Sequence, residues 1–229
     1  MNMDVFFEVY KNMLQQGPGT NEETLKAFQL VPTMNKYSKV LDIGCGTGRQ
    51  TLAIAQNTNA YILAIDNYQG FLDILKKNAE KGGFKNVYVE NKSMFELNFD
   101  NECFDLIWCE CAVYFMGFEK ALKEWRSHLK IGGYMVVTDV SFVRKDVPDE
   151  LREFWESEYP SMCSIDDHCK IIKETGYELI DEFKMKKTSW SESYYKPMKI
   201  VLDKMKEKYK DNVDAMEVIN AQYEEKEFY

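Results

Sequence analysis

A glycine-rich turn in the first quarter of the chain constrains this fold more than any other feature of the sequence. Lys39–Ile43 is a short, mostly apolar run typical of a buried strand, and it leads directly into Gly44-Cys45-Gly46-Thr47-Gly48. A helical pattern follows from about Arg49 to Gln56. Glycines let a backbone turn tightly and approach a ligand closely, and the start of a helix presents unpaired N–H groups. The turn therefore predicts an α/β fold with a ligand site at the end of its first strand.

The spacing of the glycines separates two kinds of nucleotide site. Dinucleotide folds use G-x-G-x-x-G, with the third glycine three residues after the second. Here Gly44, Gly46 and Gly48 are spaced G-x-G-x-G, and Arg49 stands where the third dinucleotide glycine would be. Asp66 closes the next predicted strand, and an acid there can accept hydrogen bonds from both ribose hydroxyls. Such a turn can hold a dinucleotide or S-adenosylmethionine, and this spacing favours S-adenosylmethionine.

Strand and helix patterns alternate through residues 35–140. Short links between alternating strands and helices predict a doubly wound, mostly parallel sheet that is covered by helices on both faces. The predicted strands are Lys39–Ile43, Tyr61–Ile65, Val87–Glu90, Phe104–Cys109 and Tyr134–Asp139, and further helices are predicted over Tyr68–Lys81 and Glu119–Leu129.

Mainly helical patterns flank this central region. Met3–Gln16 has helical spacing, and a second helix is predicted to start at Thr20. A helix-rich insert over Asp149–Thr175 precedes a sixth strand near Tyr177–Met185, and the tail from Ser191 onward is mainly helical. We expect a single domain over residues 1–229, with an N-terminal lid (1–34), a cofactor-binding core (35–140) and a region of cap, sixth strand and C-terminal helices (141–229).

Composition excludes several classes of partner. The 29 Lys and Arg against 38 Asp and Glu give a formal net charge of −9, and without a basic tract the chain is not expected to bind nucleic acid. No apolar run approaches the roughly 18 residues of a membrane helix, so no membrane insertion is expected. The six cysteines lack CxxC spacing, and with no signal peptide we expect reduced thiols in a cytoplasmic protein. The only histidines, His128 and His168, offer little support for a metal site, and a homodimer is left open.

Four segments together resemble the class I S-adenosylmethionine-dependent methyltransferases. The resemblance covers roughly residues 35–140, and within that class the chain is similar to the small-molecule group that includes ubiquinone-pathway C-methyltransferases. It implies a Rossmann-like fold with a helical lid and cap. It also implies S-adenosylmethionine as methyl donor, S-adenosylhomocysteine as product and a small molecule as acceptor. The matching segments are Lys39–Gly48, Ala64–Asp66, Phe104–Trp108 and Leu129–Tyr134, and Gln16–Gly19 resembles the lid of a bacterial subgroup.

The resemblance also implies which residues bind the cofactor. The three glycines would frame its methionine portion, Asp66 would hold the ribose, and the loop after the third strand would cover the adenine. That loop usually carries an Asp and an apolar residue, whereas this chain has Ser93-Met94, which can hydrogen-bond the adenine without a charge. The implied cofactor residues are Gln16, Gly17, Asp42, Gly44, Cys45, Gly46, Gly48, Asp66, Asn67, Ser93, Met94, Cys109 and Glu110.

Glu110 is the candidate catalytic residue, because it ends the fourth strand, where the transferred methyl group should point. Methyl transfer depends mostly on alignment and desolvation, and a base is needed only if the acceptor atom carries a proton. Base, amine holder, cofactor contact and structural residue all remain open for Glu110. The flanking Cys109 and Cys111 would suit a metalloid acceptor, or they are simply small apolar residues. The residues expected to contact the acceptor are Tyr10, Tyr114, Trp190 and Tyr194, with His168 as a weaker candidate.

Two other functions compete with methyl transfer. A nicotinamide-dependent oxidoreductase is disfavoured by the glycine spacing. A module that binds S-adenosylmethionine without catalysis would gain from Ser93 and from the lack of a convincing seventh strand, since the class usually ends in a hairpin of strands six and seven. The target atom, whether carbon, nitrogen, oxygen or sulfur, stays open.

Overall fold

A computed structural model of the chain describes residues 2–144 and 146–227. It divides into two compact units. We call Asn21–Lys184 the sheet unit. We call the described parts of Met1–Thr20 and Met185–Tyr229, taken together, the helical unit.

Five parallel strands form the centre of the sheet unit, in the order β3-β2-β1-β4-β5. The order reverses between β1 and β4, and ligands of such sheets bind beyond the carboxyl ends of the strands at this switch point. The predicted parallel α/β fold is confirmed. The strands are β1 (Lys39–Ile43), β2 (Tyr61–Asp66), β3 (Val87–Asn91), β4 (Phe104–Cys109) and β5 (Leu129–Val137), and a separate parallel pair consists of β6 (Ser141–Phe142) and β7 (Cys163–Ser164).

Helices connect and flank these strands. The connections β1-α3-β2 and β2-α4-β3 follow the predicted alternation, and α2 packs against α3. The helices are α1 (Met3–Lys11), α2 (Asn21–Phe28), α3 (Arg49–Ala55), α4 (Gln69–Gly82), α5 (Phe118–Trp125), α6 (Asp149–Glu158), α7 (Ile165–Glu174), α8 (Lys187–Trp190), α9 (Lys196–Lys208) and α10 (Val213–Glu227).

The side chains of β1 alternate between two hydrophobic clusters, one on each face of the sheet. Leu41 and Ile43 pack in the cluster that includes Trp125 of α5, whereas Val40 packs on the other face with Ile54 of α3. Successive side chains of a strand point to opposite faces, so the apolar side chains of β1 are all buried only when helices cover both faces of the sheet. Each buried aliphatic side chain contributes about 1.5–3 kcal/mol. This packing fixes the strand ends that carry the candidate site.

The predicted sixth strand is wrong. Residues 177–186 lie outside any helix or strand, although their side chains alternate between more and less buried positions as far as Leu179. Tyr177 is anchored by its hydroxyl, which donates to the carbonyl of Leu122 at 3.1 Å. Alternation indicates which side chains face the protein, but a strand also needs a partner for its backbone groups, and the sequence pattern does not contain that information.

The predicted boundaries around β5 and α1 also need correction. The helix predicted to reach Leu129 ends at Trp125 and continues as a 3₁₀ turn over Arg126–His128. The glycine pair after it lies inside β5, where the pairing with β4 shifts register and Gly132 has φ +74°. Helix α1 ends at Lys11, because the Asn12 side chain donates to a carbonyl of the last turn.

The helical unit joins the two ends of the described chain. Helix α1 packs against α9 and α10, and the Tyr10 hydroxyl donates to Gln222 at 2.6 Å. Between α8 and α9 the chain forms a π-helical turn over Ser191–Tyr195. Across the described parts of both units, no helix has the length and apolar character needed to cross a membrane.

Candidate active site

The glycine turn is packed so closely that two of its glycines, Gly44 and Gly48, leave no room for a Cβ. Gly44, Gly46 and Gly48 have φ values of +68°, +55° and +83°, a region that other residues rarely adopt. A Cβ on Gly44 would lie 2.5 Å from the Cβ of Ala112, and a Cβ on Gly48 would lie 2.1 Å from Leu75 Cδ1. The glycines are therefore required by the shape and packing of the turn, and Gly44 stays partly exposed at the end of β1.

Asp66 ties the end of β2 to this turn. Its Oδ2 accepts a hydrogen bond from the Gly46 amide at 3.0 Å, and its Oδ1 accepts one from the Tyr68 amide at 2.9 Å. Burial raises the pKa of Asp66, and these backbone donors oppose the rise. Asp66 remains partly exposed and the neighbouring Asn67 is exposed, and a carboxylate has further lone pairs with which to accept hydrogen bonds from a diol.

Asp42 is a buried acid, and one of its two carboxylate oxygens accepts no hydrogen bond from the described residues. Its Oδ2 accepts a hydrogen bond from the Thr51 hydroxyl at 2.5 Å, whereas Oδ1 has no hydrogen-bond partner among the described residues. Desolvation by burial raises the pKa of Asp42 to about 7, opposed by Thr51 and assisted by the nearby charge of Glu110. Such an oxygen is costly to leave unpaired, so Asp42 fits the approach of a donor group, above all a cationic one.

Glu110 lies in a saturated polar network at the end of β4. Its side chain is 3% exposed, and it forms an ion pair with Arg49 at the start of α3. The Thr24 hydroxyl of α2 donates to both carboxylate oxygens at 3.1 and 2.9 Å, and the Trp108 indole donates at 3.2 Å. Arg49 also donates to Asn21 and Thr24. The network therefore fastens α2 and α3 to the strand end, and it occupies the acceptor capacity of Glu110.

The loop after β3 lies next to the glycine turn through Met94. The Met94 Cε would be 3.5 Å from a Cβ placed on Gly44, and the Met94 carbonyl accepts a hydrogen bond from the Trp125 indole at 3.2 Å. Ser93 is partly exposed, and its hydroxyl accepts a hydrogen bond from the Phe95 amide at 3.2 Å. The structure thus brings Met94 and Gly44 together.

All six cysteines are free thiols, and three of them lie at the strand ends. Cys45 and Cys109 are buried, and burial raises the pKa of both. Burial also raises the pKa of Cys111 to about 12, so this thiol stays protonated at neutral pH. Cys111 has φ +60°, a left-handed backbone that is unusual for a residue other than glycine, at the point where the chain leaves β4.

The residues predicted to bind the acceptor fall in both units. In the helical unit the hydroxyls of Tyr10 and Tyr194 lie 3.5 Å apart, and the Trp190 and Tyr194 rings are 6.4 Å apart between centroids. The Gln16 amide donates to the Tyr10 carbonyl at 3.0 Å, and the carbonyl of Gly17 accepts from Gln15. In the sheet unit Tyr114 is 37% exposed, and its ring centroid lies 6.1 Å from that of Tyr159.

Sequence reasoning missed two groups of polar residues. Arg49 lies in the first turn of α3, where the helix dipole disfavours a cation, and it pairs with Glu110. Asp139 lies two residues beyond β5, whereas the sequence pattern predicts it as the last residue of that strand. In the structure Asp139 is buried at its side chain and contacts Tyr159 and His168. Neither contact follows from spacing along the chain.

Comparison with known proteins agrees with this geometry. A family model described as "Methyltransferase domain" matches residues 34–217. An uncharacterised methyltransferase of Schizosaccharomyces pombe is 31% identical over 105 residues, which are 46% of this chain and 40% of that protein. The demethylmenaquinone methyltransferase of Bacillus subtilis is 26% identical over 144 residues, which are 60% of this chain and 62% of that protein. The chain thus spans less than two thirds of the length of these curated relatives.

Among solved structures, a S-adenosylmethionine-dependent methyltransferase from Thiobacillus denitrificans, in complex with S-adenosylhomocysteine, has the same fold. It superposes with a TM-score of 0.83 at 16% identity, over 98% of this chain and 91% of the other. The family model covers most of the chain, including the whole parallel sheet and the candidate site at its edge. The chain therefore belongs to the methyltransferase-domain family.

Proposed function

We propose that the chain transfers a methyl group from S-adenosylmethionine to a small-molecule acceptor by in-line displacement. The observation that carries the proposal is the turn with three left-handed glycines at the switch point of the sheet, flanked by Asp42 and Asp66. The turn offers backbone to a ligand, Asp66 offers acceptors to a ribose, and the unmet oxygen of Asp42 offers a site to an ammonium group. S-adenosylmethionine carries both a ribose diol and an ammonium group, so the residues fit it.

Each part of the site has a proposed role. Gly44, Gly46 and Gly48 frame the methionine portion, with Asp42, Cys45, Cys109 and Glu110 around it. Asp66 and Asn67 hold the ribose, and Ser93 and Met94 cover the adenine. Gln16 and Gly17 are proposed as cofactor residues, and Tyr10, Tyr114, Trp190 and Tyr194 as acceptor contacts, on the sequence alone.

The chain's residues then have three tasks. S-adenosylmethionine supplies a methyl group on a good leaving group, so the protein mainly aligns the acceptor and excludes water. The buried network around Glu110 holds the ends of β4 and α3 in fixed positions. Because three side chains already occupy the Glu110 carboxylate, we propose that it positions the site and does not accept the acceptor's proton. A cytoplasmic location is part of the same proposal and rests on composition.

The proposal is tested by calorimetry with S-adenosylhomocysteine. We expect Asp66→Asn to weaken binding by about 1–3 kcal/mol, because the ribose loses a charged acceptor. Asp73→Asn is the matched control, since Asp73 is exposed on α4 and pairs with Gln69. Equal affinity in both variants would refute the assignment of Asp66. Binding of NAD with no response to S-adenosylhomocysteine would favour an oxidoreductase. Binding of S-adenosylhomocysteine without transfer to any acceptor would favour a non-catalytic module.

A further inference from the structure

A buried polar cluster lies just beyond β5 in the sheet unit, outside the proposed cofactor residues. Asp139 Oδ2 lies 3.0 Å from His168 Nε2 and accepts a hydrogen bond from the Tyr159 hydroxyl at 2.9 Å. The Val140 amide donates to the other oxygen at 2.9 Å. His168 Nδ1 lies 2.9 Å from the Ser141 hydroxyl oxygen. Ser141, His168 and Asp139 therefore form a continuous hydrogen-bonded line.

Local structure fixes the histidine in this line. Ser164 caps α7 in a capping box with Asp167, which places His168 in the first turn of the helix. The Phe118 ring packs against the imidazole at 4.3 Å between centroids. The His168 side chain is 10% exposed and that of Asp139 is 4% exposed, so the pair is shielded from water.

The partners of Asp139 determine which nitrogen carries the proton. The carboxylate accepts hydrogen bonds from Val140 and Tyr159, and next to it the His168 Nε2 must act as a donor. With one proton on the neutral imidazole, Nδ1 then holds a lone pair and accepts the Ser141 hydroxyl proton. The carboxylate stabilises any imidazolium that forms, as an orienting acid does in other catalytic sites.

The cluster adjoins the end of β4. The Thr138 amide donates to the Cys109 carbonyl at 3.0 Å, and the Thr138 hydroxyl accepts from the Cys111 amide at 2.7 Å. On the other side Tyr159 lies against Tyr114, a proposed acceptor contact. Ser141 is partly exposed, whereas His168 is buried, so a bound molecule reaches the pair through the serine hydroxyl.

We propose that Ser141, His168 and Asp139 are a proton relay for the acceptor, and that the acceptor is a hydroxyl compound of phenol or enol type. The proposal rests on the proposed methyl transfer. As the acceptor oxygen forms its bond to the methyl group, its proton passes to the Ser141 oxygen, while the Ser141 proton passes to His168 Nδ1. The imidazolium pairs with Asp139 and later releases the proton to water. Ser141 is the catalytic residue, and His168 and Asp139 act through it.

Two ionisable neighbours of Asp139 stay neutral near pH 7. Burial and the Asp139 carboxylate raise the pKa of Tyr159, and burial raises the pKa of Cys163 to about 11, so both stay protonated. Asp139 is therefore the acid that lies against His168 Nε2, and Asp167 on the same helix is held by the Ser164 cap.

The first test needs no acceptor. The chain has two histidines, so ¹⁵N–¹H correlation spectra of the imidazoles contain two spin systems, which His128→Gln and His168→Gln assign. We expect the neutral imidazole of His168 to be the Nε2–H tautomer and its Nδ1 signal to move in Ser141→Ala. An Nδ1–H tautomer would overturn the relay, because no lone pair would face Ser141.

The second test measures methyl transfer to phenol, catechol and a tertiary amine with labelled donor. We expect transfer to a hydroxyl acceptor, phenol or catechol. Ser141→Ala and His168→Gln should lower it at least 10²-fold at pH 7 with unchanged affinity for S-adenosylhomocysteine. Ser141→Thr should restore it, and His128→Gln should match the unaltered chain.

The outcomes separate the relay from the proposed function. Unchanged rates in Ser141→Ala, or a loss that is equal at all pH values up to 10, would overturn the relay and keep the methyltransferase. Transfer to the tertiary amine alone would do the same, since that acceptor has no proton to remove. Transfer to none of the three despite normal binding would overturn the relay and count against methyl transfer itself.

Discussion

The charged form of Asp42 is unfavourable, because its carboxylate is buried in the central strand of the sheet. It is fully buried, Thr51 meets only one of its oxygens, and its pKa lies near 7 because the charged form is poorly solvated. A cationic group beside the free oxygen would lower that pKa again. The residue therefore links ligand binding to proton release, because a donor that favours the carboxylate displaces a proton from it.

We predict that this residue makes folding stability depend on pH. The folded pKa of about 7 lies above the ordinary value of 3.8, so the folded state holds a proton that the unfolded state has lost between these values. Stability should fall as pH rises from about 4 to 7 and then level off, with an upper bound of about 4 kcal/mol. Asp42→Asn should lack this component in urea unfolding followed across pH. A constant difference between the two proteins would contradict the prediction.

The ion pair of Glu110 and Arg49 permits a second prediction. Removing one partner of a buried pair leaves an uncompensated charge and costs about 3–5 kcal/mol. We expect Glu110→Gln and Arg49→Gln each to destabilise the fold, and the double variant to lose less than their sum, by urea unfolding. Glu119→Gln is the control, because Glu119 pairs with Lys123 on an exposed helix face and should change stability by under about 1 kcal/mol.

The same variants decide the role of Glu110. Additive losses would show that the pair is not coupled. Turnover reduced 10²-fold in Glu110→Gln, with stability and cofactor affinity unchanged, would restore the base role that the network argues against.

At the scale of elements, two glycines with nearly the same backbone have different surroundings. Gly48 has φ +83° and faces buried Leu75, whereas Gly83 at the end of α4 has φ +73° and nothing within 4 Å of its Cβ position. We predict that Gly83→Ala costs about 1–2 kcal/mol for the left-handed backbone. Gly48→Ala should cost at least about 1 kcal/mol more through overpacking. Urea unfolding measures both, and equal losses would show that Leu75 can move aside.

The sheet was predictable because each of its strands carries a local signal. The apolar run before the glycine turn identifies β1 at Lys39–Ile43 without reference to any distant residue, and the acid at Asp66 marks the end of β2. The line from Ser141 to His168 joins segments that lie far apart in sequence, so no local pattern contains it. The left-handed Cys111 was likewise invisible, since a cysteine gives no sign of unusual backbone. Local patterns therefore contain the turn and the strand ends, whereas contacts between segments distant in sequence depend on packing that no local pattern contains.

At the scale of the whole molecule, the division into units predicts that residues 21–184 fold alone. This segment is continuous and holds all five strands of the main sheet and the network around Glu110. We expect a chain of residues 21–184 to give a cooperative urea transition and native-like circular dichroism. The chain lacking residues 1–19 is the comparison, since it leaves α9 and α10 without α1. A non-cooperative transition of residues 21–184 would refute the prediction.

The order of synthesis delays the packing of α1 in the helical unit. Helix α1 is synthesised before any strand of the sheet, yet its partners α9 and α10 lie more than 180 residues later in the sequence. While the ribosome translates the intervening segment, Val5 and Val9 of α1 have no final place to pack, although both are buried in the finished protein. The apolar face of α1 therefore stays exposed until α9 and α10 have been synthesised. A holding chaperone, or any factor that binds apolar peptide, has its longest opportunity at that helix.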